Sequence, residues 1–156
     1  WASRLRVDQP LLIAEGFRQG VFPRNPALLA ALVAVIINER ESDDRIDPRF
    51  LTRDLVRCYR LMAERLSPFL KRMQAGGFES RAFHLRPAAA LHVWAKGGSW
   101  EHAVETAEME EGDLAMLVLR TADNLRHIAG LAEFFPEAAA AAGRAVERIL
   151  REPVAE

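Results

Sequence analysis

The stretch ALLAALVAVII, residues 27–37, contains no polar side chain, and it limits the fold more than any other feature of the chain. Crossing a bilayer takes about 20 apolar residues, so this run is too short to do so. A helix that is apolar all round is therefore a buried one. The rest of the sequence is punctuated for helices too, and strand signals are almost absent. Asp8 is placed to cap a first helix over roughly 9–19, closed by Gly20. Asn25-Pro26 opens a second over about 26–40. The polar ESDDRID is a loop, and Asp47-Pro48 starts a long helix to about Gln74, in which Pro68 should introduce a kink. Gly76-Gly77 ends it. A further helix runs from near Pro87 to Lys96 and stops at Gly97-Gly98. Ser99 caps a short one from Trp100 to about Ala107. The last two are expected over 113–135 and, beyond Pro136, over 137–150, where the alanine run 138–142 stays helical. Short connections of this kind predict an all-α fold: a single helical bundle of about seven helices, mostly antiparallel.

At 156 residues, half of them apolar, the chain suits one domain with a real core. Its net charge of −1 gives no overall field that would draw it to nucleic acid or membrane, although a local patch can still bind. Of 21 basic residues only Lys71 and Lys96 are lysine. Arginine suits bidentate phosphate contacts, but a GC-rich genome would produce the same bias and the many alanines. Cys58 is the single cysteine and reads as a small buried hydrophobe, which leaves no internal disulfide. His84, His92, His102 and His127 show no metal-ligand spacing, so no metal site is expected. There is no phosphate-gripping loop, dinucleotide fingerprint or nucleophile elbow, so the chain by itself is not expected to be an enzyme. No signal peptide or membrane span is visible, and a cytoplasmic setting is the default. The chain opens on Trp1 rather than methionine, as a piece of a longer protein would.

Two helices have second faces that ask for an explanation. Within 48–74 the core stripe is Leu51, Leu55, Cys58, Met62, Leu66, Phe69 and Met73. Arg49, Arg53, Arg57, Arg60 and Glu64 fall about 180° away. Such an arginine row either tracks phosphates or is a solvated face with acidic partners from other helices. Within 113–135 the core side is Leu114, Leu117, Val118, Thr121, Leu125, Ile128, Ala132 and Phe135. Its back carries Met116, Arg120, Asp123, His127 and Phe134, and the apolar members suggest a covered or binding surface. Glu110, Glu111 and Asp113 suit the helix dipole, and Gly112 would allow a tight turn into the helix.

From Trp94 onward, WAKGGSWEHAVETAEMEEGDLAMLVLRTADNLRHIAG resembles the C-terminal helical domain, called DSHCT, of exosome-type (Ski-two-like) DExH-box RNA helicases. Trp94, Gly97 or Gly98, Trp100, Glu111, Gly112, Asp113, Arg120 and Leu125 fit that pattern in order. AEGFRQGVFPRNPALLAALVAVIINERES resembles the start of the domain, and VERILREPV its basic ending, so that residues 1–156 would form one such domain with a vaguer middle. The resemblance implies an accessory domain packed on the motor domains of the same parent chain and lining the exit channel of single-stranded RNA or DNA. Cofactors are then expected only elsewhere, with ATP and Mg in the motor domains. The family's strand-contacting arginine matches Arg120, and Asp123 and His127 share its face; Arg57, Arg60 and Glu64 would line the same channel. Where many relatives carry a second arginine this chain has Met116, which departs from the eukaryotic pattern and points to a bacterial variant. Two other readings stay open: a helical protein–protein adaptor without nucleic-acid binding, and a small-ligand domain with a closed apolar cavity.

Overall fold

The computed structural model describes residues 2–43, 45–78 and 82–154, with side chains from residue 9 onward. Among them are seven α-helices and no strand, so the expected all-α bundle is what forms. The helices are α1 (Ala2–Arg18), α2 (Pro26–Ile37), α3 (Arg53–Ala75), α4 (Leu85–Ala95), α5 (Trp100–Ala107), α6 (Glu111–Ala129) and α7 (Pro136–Ile149).

The apolar run at 27–37 is the axis of the molecule. Every residue from Ala27 to Asn38 is buried, and Leu29, Leu32, Ile36 and Ile37 have no exposed surface at all. Helix α2 packs most closely on α4, α7 and α6, with α3 and α1 completing the enclosure. Its start follows from Asn25, whose side chain accepts a hydrogen bond from the Leu28 N–H, and from Pro26 in the first turn. It ends at Ile37, short of the expected 40, because Asn38 turns extended and its amide side chain donates to the Arg40 carbonyl. That local bond replaces a further helical turn.

Other boundaries also differ from the sequence reading. Helix α1 begins at Ala2, not near residue 9, and continues through position 8 and Pro10. The long helix expected from Pro48 is broken. Asp47 caps only a 3-10 turn, Pro48–Phe50, and Thr52 then caps α3 by accepting from the Leu55 N–H. Helix α3 continues through Pro68 to Ala75. Leu55, Met62, Leu66 and Met73 are buried as expected, whereas Leu51, Cys58 and Phe69 are only half-buried against the core. Burial pushes the Cys58 thiol up, as suits a packed, unreactive side chain.

Helix α6 spans Glu111–Ala129 and not 113–135, since Gly130 closes it by donating to the carbonyls of Arg126 and His127. Ala132 and Phe135, read as core, are exposed beyond that end, and Phe134 is not on the helix. Leu114, Leu117, Val118, Thr121, Leu125 and Ile128 are buried. Gly112 lies inside the first turn of α6; the left-handed turn that precedes the helix is at Glu108, with φ +51.

Candidate functional site

Trp94, Gly97, Gly98, Trp100 and Glu111 of the family-like pattern meet in one latch, which Arg151 joins. Helix α4 stops in a double-glycine turn. The Gly98 N–H donates 2.9 Å to the Val93 carbonyl and the Gly97 N–H 3.1 Å to that of Trp94. Gly97 takes φ +98, which L side chains rarely adopt. The turn sets the Trp94 and Trp100 rings edge-to-face, with centroids 5.0 Å apart. The Trp100 indole donates 2.7 Å to Glu111 at the head of α6, and the Trp94 indole 2.8 Å to the Ile149 carbonyl at the end of α7. Arg151 closes the assembly, with its guanidinium 3.4 Å from the Trp94 ring centroid and donating 2.7 Å to the Gly98 carbonyl. Trp94, Gly98, Trp100, Glu111 and Arg151 thus fix where α6 begins and how α7 ends.

Held this way, α6 turns a second face outward. Met116 is 55% exposed, and Asp123 and His127 are exposed. Arg120, between them in the same row, keeps 43% of its side chain in solvent. Its guanidinium donates 2.9 Å to Glu39, just past the end of α2. The same Glu39 oxygen accepts 2.9 Å from the amide of the buried Gln9. Next to it Arg40 pairs with Asp113 at 3.0 Å. Arg120 therefore pairs with a neighbouring segment, while Asp123 pairs with Arg126 at 3.2 Å. An exposed pair such as Arg120–Glu39 is worth about 0–1 kcal/mol, so it orients the arginine more than it holds the fold.

Arg57, Arg60 and Glu64 do not join this row. They lie on the outer side of α3, in a shallow groove that the 3-10 turn walls on one side. Helices α3 and α6 do not pack extensively against one another. Two of the four arginines in the row are partnered, and by near neighbours rather than by other helices. Arg49 pairs with Asp47 and Arg57 with Asp54, whereas Arg53 and Arg60 have no acidic partner among the described residues.

The sequence reading missed Arg86. It is 4% exposed and donates to the carbonyls of Asp43, Arg45 and Thr106 at 2.7, 2.8 and 3.0 Å, with Glu108 at 3.3 Å. This clamp fixes the loop between α2 and α3 against the end of α5. The Arg45 side chain beside Asp43 lowers that carboxyl to about 2. Among the described residues no three His, Cys, Asp or Glu side chains come together as a metal site, and no helix is long and apolar enough to cross a membrane.

The family model of the DSHCT (NUC185) domain matches residues 1–156. The chloroplastic DExH-box ATP-dependent RNA helicase DExH15 of Arabidopsis thaliana is 36% identical over 66 residues, which is 42% of this chain and 6% of that helicase. The chain thus spans a small fraction of the length of that relative.

Proposed function

Because this chain belongs to the DSHCT (NUC185) domain family, we propose that it is the accessory C-terminal helical domain of an ATP-dependent DExH-box RNA helicase. In this reading the motor domains of the parent chain hold ATP and Mg and perform hydrolysis, and the domain itself turns over no nucleotide. Its task is to pack on those motor domains and guide a single strand of RNA or DNA past α6.

The observation that carries the reading is the row Met116, Arg120, Asp123 and His127, left facing solvent by a helix whose start is fixed through the Trp100–Glu111 bond. Arg120 is oriented by Glu39 without being buried by it. A guanidinium can exchange such a carboxylate for a phosphate or lie flat on a base, and neither contact depends on sequence. Met116 offers an apolar surface beside it. The strand contact is proposed for Arg120, Asp123 and His127; Arg57, Arg60 and Glu64 lie apart from this row.

The helical-adaptor alternative draws on a different observation: Phe134 is 71% exposed, with Leu131 and Phe135 beside it. Packing on motor domains would cover the same patch, so the experiment must read the strand itself. In the parent helicase, Arg120→Ala is expected to weaken binding of an oligouridylate by about 5- to 100-fold, the worth of one desolvated guanidinium contact. Unchanged affinity together with unchanged unwinding would favour the adaptor.

A further inference from the structure

We infer that the outward side of α3 is a docking surface for a second protein, which presents a short amphipathic helix carrying carboxylates beside an aliphatic stripe. This surface is separate from the Arg120 row and does not depend on the strand-guiding reading.

Helix α3 concentrates charge that the whole molecule does not have. It carries six basic and two acidic side chains in a chain whose net charge is −1. Its buried residues lie on one side, and the opposite side forms a groove of about 640 Å3. Arg53, Arg57 and Arg60 run along this groove, with Val56 and Leu61 between and beside them. A helix face turned away from the core has no packing use for these two aliphatic residues, yet Leu61 is 39% exposed there. Arg53 and Arg60 have no acidic partner among the described residues, and one carboxylate, Glu64, lines the groove against three arginines, so positive charge is in excess there.

An occupant must satisfy both halves of this surface. A single nucleic-acid strand would satisfy the arginines, but it would leave Val56 and Leu61 without an apolar partner and set its evenly spaced phosphates against Glu64, which also lines the groove. Aliphatic contacts at helical spacing next to guanidinium groups suit a helix with leucine-like residues on one side and glutamate or aspartate flanking them. The groove is open and its lining follows α3 from Arg53 to Glu64, which matches a helical partner better than a compact small molecule.

The test is fluorescence anisotropy on the chain with a labelled synthetic helix of about five turns, leucines along one side and glutamates flanking them. Saturable binding is expected. Arg57→Glu with Arg60→Glu should weaken it at least about tenfold by placing like charges across the contact, and Leu61→Ser should weaken it by a similar factor. A version of the peptide with lysines in place of the glutamates should not bind. These substitutions lie on the solvent side, so the thermal melt should be unchanged; if the double reversal disturbs folding, Arg60→Gln gives the same direction at smaller size. Absence of saturation at about 1 mM peptide, weaker than any working contact of this size, would overturn the proposal. So would peptide affinity that the arginine and leucine variants leave untouched. An oligouridylate that binds the chain and is released by the same arginine reversals would reassign the groove to nucleic acid.

Discussion

At Arg86 a charge is held inside the protein because several oxygens replace the water it loses. Breaking such an arrangement on one side strands the carbonyls of Asp43, Arg45 and Thr106 without a donor. Arg86→Met keeps much of the stem and removes the donors. It is expected to cost about 2–4 kcal/mol, or roughly 5–15 °C in melting temperature for a chain of this size, read by calorimetry. A loss below about 1 kcal/mol would show that solvent replaces the guanidinium and that the clamp is not structural. His92 makes the complementary case. Burial, with Lys96 nearby, lowers its imidazole to about 4. The unfolded chain protonates this group near 6.5, so between about 6.5 and 4 it takes up a proton that the folded chain refuses. Stability should therefore fall as pH drops through that window, by up to about 1.4 kcal/mol per pH unit. His92→Gln should flatten the slope in urea titrations, and an unchanged slope would show that His92 is not its source. The carboxyls of Glu15 and Asp43, both lowered to about 2 by neighbouring arginines, keep their stabilisation above their ordinary values of 4.5 and 3.8 and lose it from there down to about pH 2, meeting the histidine window only at its acid end.

At the scale of helices, what was legible in the sequence was whatever bonds within a few residues. Asn25, Ser99 and the double glycine after α4 act on the next or previous turn, so their residue types announce the helix ends. The Gly98 turn can be tested directly. A Cβ there would lie 2.8 Å from the Val93 carbonyl oxygen and 2.7 Å from the Val93 Cγ1, and the first of these atoms is backbone. Gly98→Ala is expected to lower the melting temperature by several degrees, because overpacking of this kind costs about 1–3 kcal/mol; a neutral result would mean that the turn yields. The end of α6 was misread for a physical reason. Leu131, Ala132, Phe134 and Phe135 continue the apolar spacing past Gly130, and periodicity cannot tell a core residue from an exposed apolar one. The outward row of Arg120, Asp123 and His127 was readable from spacing alone. The Arg120–Glu39 pair and the Arg86 clamp were not, since they join segments 81 and 41–43 residues apart.

At the scale of the molecule, six helices enclose or buttress one apolar axis, and the family-like latch sets how α4, α5, α6 and α7 meet around it. Two exposed features, Met116 at 55% and Phe134 at 71%, are surface that the proposed packing on motor domains would cover, whereas Leu119 is packed against the core. Hydrogen exchange at 131–137 is accordingly expected to be slower in the parent helicase than in the isolated chain; equal rates would leave that patch without a partner. The strand-guiding role of the α6 face is tested most directly by the salt dependence of oligouridylate binding by the parent helicase, with and without Arg120→Ala. One lost phosphate contact to a single strand should reduce the slope of log K against log salt by about 0.7. Affinity should fall while the melting temperature stays within about 2 °C, because the exposed Glu39 pair adds little to stability. A lowered melting temperature with the slope and the affinity per folded molecule unchanged would contradict it, and would make Arg120 a scaffold residue.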